Sequence, residues 1–449
     1  MTDLLAARSQ MAMSLGFHIV FAVIGIGMPL LMVIAERRWQ VTRDAHYLEL
    51  ARRWAKGTAI LFAVGAVSGT VLSFELGLLW PGFMEFAGPI IGMPFSLEGF
   101  AFFMEAIFLG IYLYGWDRIS ERAHLVAGIM VAASGALSGV FVVIANAWMN
   151  APTGFTLVNG VATGIDPIAA LGTPAAFPQT LHMTLAAYAA TGFGAAGIHA
   201  AMLLRQRANA FHLRGLRVAL LMAIPAALLQ PISGHHSAGF VAESQPAKFA
   251  AMESLFTTQA RAPLLIGGWP DPERGEVRYG VELPGALSFL ATNDFNATIT
   301  GLDQVPRDEW PNVRVTHLAF QVMVGLGMFM IVAALLSLVA MLRQDDLGER
   351  PLLLKLLVLA SPMGFLATEA GWVVTEVGRQ PWVIQGVLRT ADAVTPMPGL
   401  VVPFLGFTLL YIFLAVAVVW LLRRQILGAP DAVDWRRRHA PLVATTRHE

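Results

Sequence analysis

Apolar residues gather in nine runs of about twenty, each long enough to cross a bilayer as a helix. They lie near Ser14–Ala35, Gly57–Leu79, Phe95–Tyr114, Leu125–Ala147, Leu181–Leu204, Leu216–Ser233, His317–Leu342, Leu353–Thr375 and Leu400–Leu422. Arginines fall in every other connection between these runs. The first holds Arg37, Arg38, Arg43, Arg52, Arg53 and Lys56, the third Arg118 and Arg122, the fifth Arg205, Arg207 and Arg214, and the seventh Arg343 and Arg350. Arg423, Arg424 and Arg436-Arg437-Arg438 follow the last run, whereas the second and fourth connections have no Lys or Arg. Basic loops stay in the cytoplasm, so the pattern places the N-terminus outside and the C-terminus inside. The first run is not read as a signal peptide: Asp3 and Arg8 precede it in place of a basic cluster, and Glu36-Arg37-Arg38 follow. The expectation is an all-α integral membrane protein of about nine transmembrane helices, with residues 1–449 forming a single polytopic membrane domain.

The sixth connection, residues 234–316, alternates to the outside. Its mixed Pro, Gly, Asn and charged residues predict a folded extramembrane segment. No fixed-period repeat and no inverted pair of broken helices is evident. Composition narrows the function. The chain is 56% hydrophobic and 13% charged, about half the ~25% charged share of soluble domains, which excludes an ordinary soluble enzyme. Lys+Arg and Asp+Glu balance at 30 each, so no basic field exists to hold nucleic acid. The absence of cysteine excludes disulfides, thiolate-ligated haem, iron–sulfur clusters and a catalytic thiol. A metal or cofactor must be held by His, Met, Asp, Glu or Tyr.

Ionisable residues inside spans are costly and are functional candidates by default. His18 lies about one turn inside the outer end of the first predicted run, and His182 at the outer start of the fifth. Met323 is two turns inside the seventh, Glu98 at the outer end of the third, and Glu376 at the outer end of the eighth. Singly, each has an ordinary reading: an interfacial histidine, a gap-filling methionine, a carboxylate favoured by a helix N-terminus. Their expected common depth favours a cofactor cluster, and His, Met and carboxylate donors without cysteine point to haem. Glu98 and Glu105 are seven residues apart and share a helix face about 10 Å apart, a spacing suited to relaying protons or to packing hydrogen bonds. Glu369, Trp372 and Glu376 recur at helical spacing, with Arg379 one turn further on and Pro381 closing the helix.

These residues, in this order, resemble subunit I of the cytochrome bd-type quinol oxidases over essentially the whole chain. The resemblance is carried by Glu369-Ala370-Gly371-Trp372, Glu376 and Gly378-Arg379-Gln380-Pro381-Trp382. Glu98-Gly99 with Phe102-Phe103-Met104-Glu105 and Gly115-Trp116-Asp117-Arg118, then Asn146-Ala147-Trp148-Met149-Asn150, and Arg8 with His18, add to it. The resemblance implies His182 and Met323 as ligands of a low-spin haem b, and His18 with Glu98 at the oxygen-reducing haem. Glu376 would ligate a second, high-spin haem b. It implies Trp372 between haems, Arg379 and Arg8 near propionates, and Glu105 with Ser138 on a proton path. Lys248 and Glu253 match the family's quinol-loop pair. Chemically, quinol oxidation needs a base and a proton donor, and Lys248 is the sole lysine outside the predicted cytoplasmic half.

The sequence also departs from common family patterns. The loop is short, as in the branch that includes the cyanide-insensitive oxidases. Gln321 stands where many relatives carry Arg, and Ser73-Phe74-Glu75 shifts a carboxylate on the second helix. Phe155–Phe177 carries no motif. The same ligands suit haem d or a further haem b at the oxygen site.

The resulting expectation is the catalytic haem-bearing subunit of a terminal quinol oxidase of the bacterial cytoplasmic (inner) membrane. It would oxidise quinol outside and reduce O2 to water with cytoplasmic protons. Its partners would be a second multi-span subunit, often a single-span small subunit, the bilayer, membrane quinol and O2, and no nucleic acid. A proton-coupled transporter would explain the carboxylates but not the His and Met set. A non-catalytic haem anchor would not need Glu105 or the Lys248 and Glu253 pair.

Overall fold

The computed structural model describes residues 1–425; Arg436-Arg437-Arg438 lie outside them. Among the described residues, nine helices are long and apolar enough to cross a membrane, as the hydrophobic runs predict. They are α1 (Asp3–Thr42), α2 (Ala45–Leu79), α3 (Pro81–Tyr114), α4 (Glu121–Asn150), then, after a short α5 (Pro167–Leu171), α6 (Ala176–Arg205) and α7 (Ala210–Ser244). A short α8 (Pro246–Glu253) and α9 (Ala286–Thr292) belong to the long connection before α10 (Val313–Leu342). The eighth span is broken into α11 (Pro351–Ala360) and α12 (Met363–Val377); a short α13 (Thr390–Ala393) precedes the last, α14 (Val401–Gln425).

Helix starts are set by side chains that accept from otherwise orphaned backbone N–H groups. Thr2, Asp44, Ser120, Asn209 and Asn312 cap α1, α2, α4, α7 and α10 in this way, and Pro81 opens α3 at a position that needs no donor. Several helices outrun their apolar runs. α3 begins at Pro81 and not near Phe95, continuing through Pro89 and Pro94. Glu98 is therefore about 25 Å along the helix at 1.5 Å per residue, not at its outer end. α7 likewise runs to Ser244, so the connection proper is residues 245–312. In both cases backbone hydrogen bonding carries the helix past the point where hydropathy falls.

α6 is the mast of the bundle. Its central stretch is the most buried of the nine spans, and it packs against α1, α4, α7, α11 and α12. The reason is its run of small residues, Ala189 to Ala196, which lets neighbours approach closely. A methyl at Gly192 would fall 2.8 Å from Ala223 Cβ, and methyls at Gly197 and Gly364 would collide with Ser361 Cβ and Ala190 Cα. The break before Pro362 seats α12 here, with the Ser361 hydroxyl donating to Gly194 O at 3.2 Å.

The long connection has a core of its own, built from Phe249, Leu255, Phe256, Leu287, Ile299 and Val313. A first hairpin pairs β1 (Thr156–Val158) with β2 (Val161–Thr163) elsewhere at the same end. In the connection β3 (Gln259–Ala260) pairs β6 (Thr298–Ile299), and β4 (Leu264–Asp271) pairs β5 (Glu276–Leu283) in antiparallel register from Leu264↔Leu283 to Asp271↔Glu276. β7 (Trp382–Ile384) and β8 (Leu388–Arg389) close the turn after α12. All of these lie at one end of the bundle, here called the loop end; the arginine-rich connections form the basic end.

Candidate functional site

The strongest cluster lies where α12 ends. The Arg379 guanidinium, 2% exposed, donates from Nη2 to Glu376 Oε2. Its Nε and Nη1 are buried with no partner. Burying a cation with two donors unused costs several kcal/mol or more unless an acceptor completes it. The Asn146 amide on α4 donates to the other oxygen of Glu376 at 2.5 Å. One turn later, Asn150 Oδ1 accepts from Lys248 Nζ at 2.6 Å and from Gln245 Nε2 at 3.3 Å. Lys248 therefore sits in one buried polar network with Glu376 and Arg379, and its Cγ would meet a methyl at Gly378 at 3.0 Å. Burial pushes the Lys248 ammonium down to about 7, the Arg379 charge adds to the shift, and Glu376 opposes it.

Glu253 closes the same short helix and is also buried, with Oε2 unpartnered. Desolvation pushes its carboxyl up to about 8. Five positions on an α-helix amount to about 140° of rotation, so the two side chains leave α8 toward different sides. The neighbouring Met252 O accepts from His317 on α10, at 2.8 Å from Nδ1. His317 Nε2 lies 3.1 Å from Gly267 O on β4. One turn deeper, Gln321 accepts from Gly267 N at 2.9 Å and donates to Leu265 O at 3.0 Å. The Gln321 amide is thus engaged with β4 backbone.

The three residues that would hold a haem share a feature. His18 Nδ1 is held 2.9 Å from Ser68 Oγ, which leaves Nε2 available, and a methyl at Gly69 would lie 3.0 Å from the ring. His182 Nδ1 is 3.1 Å from Ser233 Oγ, Gln230 Nε2 is 3.1 Å from Nε2, and Gly234 faces the ring. Met323 Sδ faces Gly371 on α12, where a methyl would be 3.1 Å away. The His18 ring and the Met323 sulfur thus border glycine positions, Gly234 lies beside the Cε1 edge of His182, and each histidine is oriented by a hydroxyl on the neighbouring helix, as ligating histidines usually are. Trp372 packs in the small cluster of Leu15, Ile19, Met183 and Phe365, between α1 and α6. Glu369 Oε2 would lie 3.4 Å from a methyl at Gly16.

Other candidates stand apart. Glu105 is buried against Gly135 on α4, 3.1 Å from a methyl there. Glu98 makes no hydrogen bond to His18; α2 packs on both their helices. Arg8 is exposed, and no hydrogen bond or ion pair joins it to Arg379. Ser138 is half-buried on α4. Sequence reading missed Glu75 as a site group: it is 2% exposed and accepts from Gln10 and Ser14 at 2.9 Å each.

Among the described residues, nine helices long and apolar enough to cross a membrane surround half-buried histidine, methionine and carboxylate groups and a buried arginine with two donors unused, the fold of a multi-pass membrane protein. The chain belongs to the cytochrome bd terminal oxidase subunit I family, whose model matches residues 6–430. It is 40% identical over 428 residues to a putative cytochrome bd menaquinol oxidase subunit I of Bacillus subtilis, covering 94% of this chain and 96% of that one. It is 32% identical to a cytochrome bd ubiquinol oxidase subunit 1 of the same organism, covering 95% and 94%. The bd oxidase structure from Geobacillus thermodenitrificans matches with a TM-score of 0.90 at 39% identity, covering 94% of this chain and 98% of that chain. The protein is thus a subunit of a quinol-oxidising terminal oxidase in the bacterial cytoplasmic membrane, a haem protein of respiratory electron transport that works with a second subunit.

Proposed function

We propose that this chain is the catalytic haem-bearing subunit, oxidising quinol at the loop end and reducing O2 to water with protons drawn from the basic end. The observation that carries this reading is the buried network joining Lys248 of the loop to Glu376 and Arg379 at the end of α12. On this reading, quinol chemistry and a cofactor anchor would share one polar network. The arginine distribution supports a loop end outside and a basic end in the cytoplasm.

The residues fit haem. Arg379 has two buried donors free for a propionate; Arg8, exposed at the same end, would serve another. His182 and Met323 would hold a low-spin haem b, Glu376 a high-spin haem b, and His18 with Glu98 the oxygen-site haem, d or a further b. Bound haems supply one-electron carriage and an iron with an open position for O2. Trp372 packs between the helices that carry His18 and Met183 and would separate the cofactors.

The side chains do the rest. Residues 234–316 contain the quinol-binding segment. The Glu253 carboxylate takes the proton of a quinol hydroxyl, and Lys248 donates to the oxygen that becomes carbonyl. Glu105 passes protons inward toward the oxygen site, with Ser138 on the same path. The partners would be a second multi-span subunit and a single-span small subunit.

Glu253→Gln and Lys248→Ala test this reading. Each should lower quinol-driven O2 consumption at least tenfold, while an artificial donor that reduces the haems directly still supports wild-type turnover. Equal loss by both routes would remove the loop from electron entry.

A further inference from the structure

At the basic end, a second buried group has no place in the roles above. Glu36 on α1 is fully buried, and its Oε1 lies 2.9 Å from His124 Nδ1 on α4. The other ring nitrogen donates to Tyr112 O on α3 at 2.9 Å. With Nε2–H committed to a carbonyl, Nδ1 and Oε1 share one proton between them, whichever atom carries it. Glu36 Oε2 and the Tyr112 hydroxyl are both buried and face one another, so the carboxylate continues toward α3 through the phenol.

The pair closes a cavity. About 210 Å³ lies between Glu36, Arg52, Trp116, Asp117, Glu121 and His124. Charged groups line its mouth: Arg52 pairs with Asp117 at 3.5 Å and Arg43 with Glu121 at 2.7 Å. The Trp116 ring lies tilted over the His124 ring with centroids 3.8 Å apart, and both rings line the cavity together with Glu36. Beyond it, Tyr112, Glu105 and Glu98 follow one another at seven-residue intervals on α3, about 10 Å per step on one face. α4 carries His124 at its start and abuts Glu105 at Gly135.

We propose that Glu36 and His124 form the proton-loading site on the basic side, receiving protons from this cavity and handing them to the Tyr112–Glu105 face of α3. The inference rests on the reading of Glu105 as a relay. One proton moves per transfer: cavity water protonates the dyad, and the dyad returns to its starting charge when the proton leaves toward Glu105.

The test uses the intact oxidase complex in vesicles, with proton uptake and haem absorption followed together after flow mixing of the reduced enzyme with O2. In Glu36→Gln, which keeps shape but cannot cycle a proton, uptake from the basic side should slow at least tenfold, with unchanged haem spectra and unchanged anaerobic reduction by quinol. Ile119→Trp crowds the cavity while leaving both partners in place, and should slow uptake several-fold; it decides the question should Glu36→Gln fail to assemble. Wild-type uptake in either variant with normal spectra overturns the assignment and leaves the pair an interhelix clamp. Glu105→Gln distinguishes the two levels: slow uptake there with wild-type uptake in Glu36→Gln defeats only the entry site, whereas wild-type uptake in both defeats the relay itself.

Discussion

Arg379 and Glu253 show how single residues report on groups outside the chain. Both are buried with polar atoms unused, and such atoms are rare in native interiors unless something completes them. For Glu253 this has a consequence in pH. Burial pushes its carboxyl up to about 8, so it is mostly protonated at pH 7 and becomes a base only as pH rises through 8. Ionisation of Glu253 should therefore add a rising limb near pH 8 to quinol oxidation measured as haem reduction, opposed by a falling limb as Lys248 loses its proton above about 7, and Glu253→Gln should lose the rising limb alone. Identical profiles in the two proteins would assign the limb to another group. At this scale the sequence was legible where a residue type is out of place in a span: His18, His182, Glu105 and Glu376 each announce themselves. Their partners do not. Ser68 and Ser233 are unremarkable polar residues until helices 50 and 51 positions away bring them to a histidine, and Asn146 stands out only within a motif, with nothing to say that it meets Glu376 across 230 positions.

Among elements, α8 and α10 show what pattern reading reaches and where it stops. The stretch Lys248–Glu253 reads as helix and is one, within α8. That His317 holds it could not be read, because the contact is between a side chain and a backbone carbonyl. Met252 O is among the last four carbonyls of its helix and has no intrahelical donor; His317 supplies one and grips β4 through Gly267. A neutral imidazole donates to one of the two carbonyls at a time, so removing the ring leaves that carbonyl unsatisfied, at about 1–3 kcal/mol. His317→Ala should therefore raise the KM for quinol several-fold with little change in kcat from the artificial donor, and His317→Gln should recover part of the loss. Unchanged KM in His317→Ala would make the latch irrelevant to the quinol site. The β1–β2 hairpin was missed although its signal was present: Asn159-Gly160, both at positive φ, is the dipeptide that two-residue hairpins prefer. α3 was clipped because Pro89 and Pro94 resemble helix ends, yet a helix long enough to pack on both α2 and α4 tolerates them.

Across the whole molecule, nine hydrophobic runs and the alternation of arginines were legible because a bilayer imposes both length and charge on sequence. The packing around α6 was not, since close approach depends on which glycines of two helices meet. The architecture places the loop, with Lys248 and Glu253, against the end of α12, and sets His182 and Met323 on α6 and α10 below it. Electron entry at this place is the central claim. The most direct measurement is the reduced-minus-oxidised spectrum and redox titration of the assembled complex, wild type against Met323→Leu. Leucine keeps the volume and removes the thioether. The low-spin haem signal should convert to high-spin or its midpoint potential fall sharply, in a complex that still assembles and retains its other haem bands. An unchanged low-spin spectrum and midpoint in Met323→Leu would contradict the assignment.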